Sequence, residues 1–157
     1  MGTALSSIVD LFLSNVDDYK LEFIFTTSGS AIFDVYVEPW LMQSINEFSI
    51  ADQDLTYTPA TTSTDGYFDQ NLTIKNQLVL ANIMTKYWLN KTVNNVRQME
   101  NYLQDRDFKM NSAAQNLTAK QNLYNMKREE VSQMLVDYSY NALNWGKWRN
   151  QDFIGSV

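Results

Sequence analysis

The residues that carry out most enzyme chemistry are missing from this chain. It has no histidine and no cysteine, which removes the common general base, the common zinc ligands and every Ser–His or Cys–His nucleophile pair. Carboxylates remain. Glu38 and Glu47 suggest an acid/base pair across a cleft, but two carboxylates at that separation are ordinarily solvated helix positions. Asp52, Asp54, Asp65 and Asp69 raise the question of a calcium loop, yet they lack the alternating D-x-D-x-D-G pattern and the terminal glutamate of an EF-hand. Without histidine there are no Glu-x-x-His pairs for a di-iron bundle. The chain is expected to be no enzyme and to hold neither metal nor cofactor.

The elements that would position these residues read as helices. A chain of 157 residues with 45% hydrophobic and 13% aromatic content is expected to fold as one domain. The fold class is all-α: a small helical bundle with one long C-terminal helix and an extended C-terminal tail. Residues 1–144 form the helical domain, with a long loop at about 51–70, and residues 145–157 form a docking tail. Thr3 caps a first helix with Leu5, Ile8, Val9 and Phe12 on one face, and Asn15 to Asp18 reads as a break. Residues 21–27 fit either a short strand or one helical turn. Ser30 opens a second helix with Ile32, Val35, Tyr36, Leu41, Met42, Ile45 and Phe48 at helical spacing, and Pro39 is expected to kink or split it near Val37–Glu38. In the loop, Asp65-Gly66 reads as a turn that returns Tyr67 and Phe68 to the core.

Asn71 or Thr73 caps a third helix that buries Ile74, Leu78, Ala81, Met84 or Ile83, and Trp88. It is apolar nearly all round and is expected at the centre of the bundle. Asn90 to Asn95 interrupts it, and a shorter segment with Val96, Met99, Tyr102 and Leu103 follows. From Asn111 to Asn144 there is neither proline nor glycine. Ser112 is the expected N-cap, and Leu117, Tyr124, Val131, Met134, Leu135 and Tyr138 are the expected inward face. At 1.5 Å per residue this rod is roughly 48 Å long, and it is expected to overhang its own bundle. The formal sequons at Asn71, Asn90 and Asn116 read as chance in an asparagine-rich chain. Thr3 to Leu13 is too short and too polar for a membrane span or a secretory signal.

Charge is distributed unevenly. The chain carries −6 in total; residues 1–70 hold −10 and residues 71–157 hold +4. Either the halves neutralise each other within one fold, or the acidic part of one copy meets the basic part of the next. The tail adds Trp145, Lys147, Trp148, Arg149, Phe153 and Ile154. These either fold back on the bundle or dock on a partner, where Trp and Arg are favoured anchors.

The run Leu80-Ala81-Asn82-Ile83-Met84, then Tyr87-Trp88-Leu89, Asp107-Phe108-Lys109-Met110 and Val136-Asp137-Tyr138-Ser139-Tyr140, resembles the head–tail connector (adaptor or neck) proteins of tailed bacteriophages. The likeness covers most of residues 30–140, while Pro39 and the tryptophan-bearing tail depart from it. The resemblance implies a structural virion subunit, made in the host bacterial cytoplasm, that forms a ring of typically twelve copies. Its partners would be the portal protein above and a tail-proximal neck or tail protein below, with DNA passing through without sequence-specific binding and with no membrane. The alternative is a non-viral α-helical protein–protein adaptor, or another phage neck or tail structural protein.

Overall fold

A computed structural model describes residues 2–16, 18–104 and 111–142. Its elements are α1 (Leu5–Ser14), α2 (Tyr19–Ser28), α3 (Ser30–Glu47), a hairpin of β1 (Tyr57–Thr58) and β2 (Tyr67–Phe68), α4 (Ile74–Gln104) and α5 (Asn111–Ala142). The all-α class and the long C-terminal helix are as expected.

α1 buries Leu5, Ile8, Val9 and Phe12, the expected face. Thr3 is not its cap. The N-cap is Ala4, with no side-chain hydrogen bond, and the first helical donor, Leu5 N–H, is satisfied by Gly66 O at 2.9 Å. Thr3 instead stitches the N-terminus to the end of the loop. Its N–H donates to Gln70 O, its carbonyl accepts from Phe68 N–H, and its hydroxyl accepts Leu72 N–H at 2.7 Å. Segment 21–27 is helical, inside α2, and Leu21 is buried.

α3 opens at Ser30, as expected, and departs from expectation at Pro39. It starts after Gly29, whose φ of 80° lies in the left-handed region that glycine tolerates, so Ser30 is helical and its hydroxyl reaches Asp65 Oδ1 at 3.1 Å. Pro39 does not split the helix, which runs unbroken from Ser30 to Glu47. Pro39 lies on the exposed side, where water can satisfy the carbonyl that its missing N–H leaves free. Phe33, Val37, Trp40, Leu41 and Ser44 point inward, whereas Ile32, Val35, Tyr36 and Met42 are exposed. Apolar residues encircle this helix, and the side that buries its largest rings prevails because stabilisation scales with area.

Thr73 caps α4, its Oγ1 accepting Asn76 N–H at 3.3 Å. α4 then continues through Asn90–Asn95 without interruption. Three asparagines cost roughly 2 kcal/mol of helix propensity; burying Leu89 and Val93 returns roughly 3–6 kcal/mol. Ile74 and Leu78 are exposed, against expectation, while Val79, Leu80, Ala81, Ile83 and Met84 make up the central core. Met99, Tyr102 and Leu103 have side chains outside the described residues.

α5 begins at Asn111, one residue before the expected cap Ser112, whose side chain lies outside the described residues. It runs antiparallel to α4, since Lys127 meets Asn82 and Tyr138 meets Asn76. Val131 and Tyr138 are buried, with Met134 and Leu135 packed beside them. Leu117 and Tyr124 are only half-buried, and neither belongs to the core cluster. The rod therefore does not overhang alone. Its first half leaves the core together with the second half of α4, forming a two-helix arm.

Candidate interaction surface

The acidic residues that could have formed a reactive site are instead distributed as fasteners. Glu38 Oε1 accepts Ala60 N–H at 3.0 Å, and Glu47 pairs with Lys86. Asp54 accepts both Thr56 N–H and Thr56 Oγ1–H, Asp65 takes the Ser30 hydroxyl, and Asp69 faces Thr58 Oγ1 at 3.4 Å. Among the described residues no group of three or more acidic side chains is placed to hold a metal ion.

Asp52 belongs to a polar knot that joins loop, α4 and α5. Tyr138 Oη bonds the Asp52 carboxylate and lies 2.7 Å from Asn76 Oδ1. Asp52 N–H donates back to Tyr138 Oη at 3.1 Å. Asn76 Nδ2 donates to Asp52 Oδ1 and Gln53 Oε1, and Lys75 Nζ lies 4.1 Å from the Tyr138 ring centroid. The Tyr138 and Asn76 hydrogen bonds hold the Asp52 carboxyl below its usual range. Burial, then the Asp52 carboxylate, pushes the Tyr138 phenol up.

A second cluster ties the hairpin to α3. Asp34 is 2% exposed, and Gly66 N–H reaches its Oδ2 at 3.4 Å. Burial, with smaller contributions from Asp65 and Glu38, pushes this carboxyl up to about 6 against the hydrogen bond from Gly66. Tyr57 Oη is enclosed nearby. Burial and the adjacent carboxylates raise its pKa, but with Glu38 engaged by Ala60 the phenol makes no hydrogen bond of good geometry. Gly66 is required here, because a Cβ would lie 1.9 Å from that hydroxyl.

What the fold leaves unsatisfied is apolar surface. α3 exposes Ile32, Val35, Tyr36 and Met42 along one side, a ridge on which Tyr36 is 40% exposed, and α2 exposes Phe23 and Phe25, which their two-residue spacing sets on different sides of that helix. Ring contacts join these side chains to the core: Phe25 to Phe33 at 5.2 Å, and Tyr36 to Trp40 at 5.6 Å. The arm exposes Leu123 and Met126, the latter 68% exposed. Between α4 and α5 lies a groove of about 500 Å³ lined by Leu78, Val79, Met134 and Tyr138, with Lys75 and Asp137 at its rim. Tyr67, one of the two aromatics expected to return to the core, is exposed; Phe68 is buried.

The tail residues expected to dock on a partner, Trp145, Lys147, Trp148, Arg149, Phe153 and Ile154, lie outside the described residues. The sequence marks Ile32, Val35, Tyr36 and Met42 only as apolar residues at helical spacing, which does not say whether they face the core or water. Their helical spacing did mark them as one face. No helix among the described residues is long and apolar enough to cross a membrane. In comparisons with known proteins, the chain matches no family model, no curated protein and no solved structure.

Proposed function

We propose that this chain is a structural subunit of the neck of a tailed bacteriophage, a head–tail connector that assembles as a ring, with twelve copies the expected number, between portal and tail. In this reading it is made in the host bacterial cytoplasm, resides in the virion and catalyses no reaction. The observation that carries it is the exposed apolar ridge of α3, on a chain that also projects a two-helix arm. Monomeric proteins rarely leave such contiguous apolar faces open to water, and faces of this kind mark protein–protein contacts. The resemblance across residues 30–140 supports the same reading, and a net charge of −6 suits a conduit wall that repels phosphate and lets DNA slide. The tail, with Trp145, Trp148 and Arg149, is the candidate contact with portal or tail. A second reading, a peptide-binding adaptor, is favoured by the groove between α4 and α5.

The test is mass photometry and negative-stain imaging of the 18.2 kDa chain, alone and mixed with the portal protein of the same virus. The neck reading expects a ring many times the subunit mass or a ring-on-portal complex. A chain that stays small with portal present, and instead captures short amphipathic peptides in the groove, would support the adaptor.

A further inference from the structure

We propose that the apolar ridge of α3 docks, head to tail, on the two-helix arm of a second copy of this chain. The proposal rests on the self-assembling subunit of the previous section and identifies which surfaces meet.

Among the described residues the arm has no third helix. Beyond Leu89 on α4 and before Val131 on α5, the two helices have chiefly each other to pack against. Each covers only one side of its neighbour, so Val96, Leu117 and Tyr124 along the seam stay half-buried while Leu123 and Met126 face water. A helix presenting apolar residues on one face completes such a seam. The ridge is that kind of helix: Ile32, Val35, Tyr36 and Met42 lie on one side of α3 over roughly 15 Å. The chain's own arm does not cover it. Lys91, at the arm's root, lies 5.4 Å from the Tyr36 ring centroid and 5.1 Å from that of Trp40, and Ile32, Val35 and Met42 stay exposed beside this contact.

Charge selects the arm of another copy as the occupant. Residues 90–98 and 115–130 contain Lys91, Arg97, Lys120, Lys127 and Arg128 against Glu129 and Glu130; Lys127 pairs with Glu130, so Lys91, Arg97 and Lys120 carry the basic character of the arm. On the ridge side, Asp18 and Glu22 line a small hollow together with Phe25. Folding does pair Glu47 with Lys86. Asp10, Glu22, Asp54, Asp65 and Asp69 nevertheless remain exposed, without a salt bridge among the described residues. Internal neutralisation of the two halves is therefore incomplete, and the surplus on each half is opposite in sign. A ridge-to-arm contact is heterologous and leaves each copy with one further ridge and one further arm to engage, the condition for a closed ring or an open filament.

The experiment is sedimentation velocity on the full chain across a concentration series, at about 50 mM and about 500 mM salt. It uses wild type, a ridge variant (Val35→Arg) and an arm variant (Arg97→Glu with Lys120→Glu), with folding checked by far-UV circular dichroism. Wild type is expected to associate with concentration, and high salt is expected to weaken this about tenfold. Each variant alone is expected to stay monomeric. Their mixture retains one intact ridge and one intact arm, and is expected to give a 1:1 dimer and nothing larger. Should either variant unfold, Val35→Ser or Lys120→Gln takes its place. Wild type monomeric at every concentration, variants that associate like wild type, or a mixture that stays monomeric would each overturn the inference. Ring formation on portal by these same variants would then show that the neck reading stands without this contact.

Discussion

Tyr138, near the end of α5, places its phenol against the carboxylate of Asp52 across 86 positions of chain, and Asp52 returns its own backbone N–H to the same oxygen at 3.1 Å. This exchange fixes the start of the long loop to the last turns of the rod. Asn76, buried within α4, joins it. Tyr138→Phe keeps the ring contact with Phe48 but leaves Asp52 N–H and the Asn76 amide short of a partner. We expect a loss of roughly 1–3 kcal/mol, read as a lower urea midpoint with unchanged m-value. No change in midpoint would show that water replaces the phenol without cost.

Asp34 sets a pH dependence. Its folded carboxyl is pushed up to about 6, above its ordinary 3.8, so the folded state holds a proton that the unfolded chain has released. Stability from this group is therefore fully present below about 3.8 and is lost as pH rises through about 6. Asp34→Asn retains an acceptor for Gly66 N–H without the charge. We expect it to flatten the stability profile over that window and to raise stability at pH 8 by roughly 1–3 kcal/mol. Urea titrations at a series of pH values check this; a wild-type slope retained in the variant would exclude Asp34 as its source.

Gly66 and Tyr57 are a size-matched pair. Gly66→Ala would put a methyl group 1.9 Å from the Tyr57 hydroxyl, so the hairpin must shift, at a cost of roughly 1–3 kcal/mol. Tyr57→Phe removes a buried hydroxyl that has no good hydrogen bond and is expected to be neutral or slightly stabilising. In the double variant the loss should shrink, because the nearest side-chain atom has gone. Thermal midpoints of the four proteins measure the coupling directly, and strict additivity would show that the clash falls elsewhere.

Pro39 is tolerated in α3 but not favoured there. It removes one helical hydrogen bond on an exposed side, so Pro39→Ala should stabilise the chain by roughly 1–3 kcal/mol without altering the fold. A destabilised Pro39→Ala variant would mean that the ring itself makes a contact the helix needs.

Much of this architecture can be read locally. The face of α1, the Thr73 cap of α4 and the inward positions Val131 and Tyr138 follow from periodicity and capping chemistry, both of which act within a few residues. The ridge, the continuity of α4 and the polar knot do not. Periodicity cannot orient a helix that is apolar on every side, so it does not tell that Phe33 and Trp40 are buried while Ile32 and Tyr36 face water. The polar run at Asn90–Asn95 breaks a pattern without breaking a helix.

The sequence by itself determined the helical class, the absence of histidine and cysteine chemistry and the opposed charges of the two halves. Each of these depends on composition or on short-range spacing. Only the tertiary structure decided which side of α3 faces water, that α4 and α5 leave the core together as an arm, and that Asp52 serves Tyr138. These outcomes depend on what lies opposite each residue in space, and hydrophobic area and hydrogen-bond partners are set by neighbours as distant along the chain as Asp52 and Tyr138, 86 positions apart.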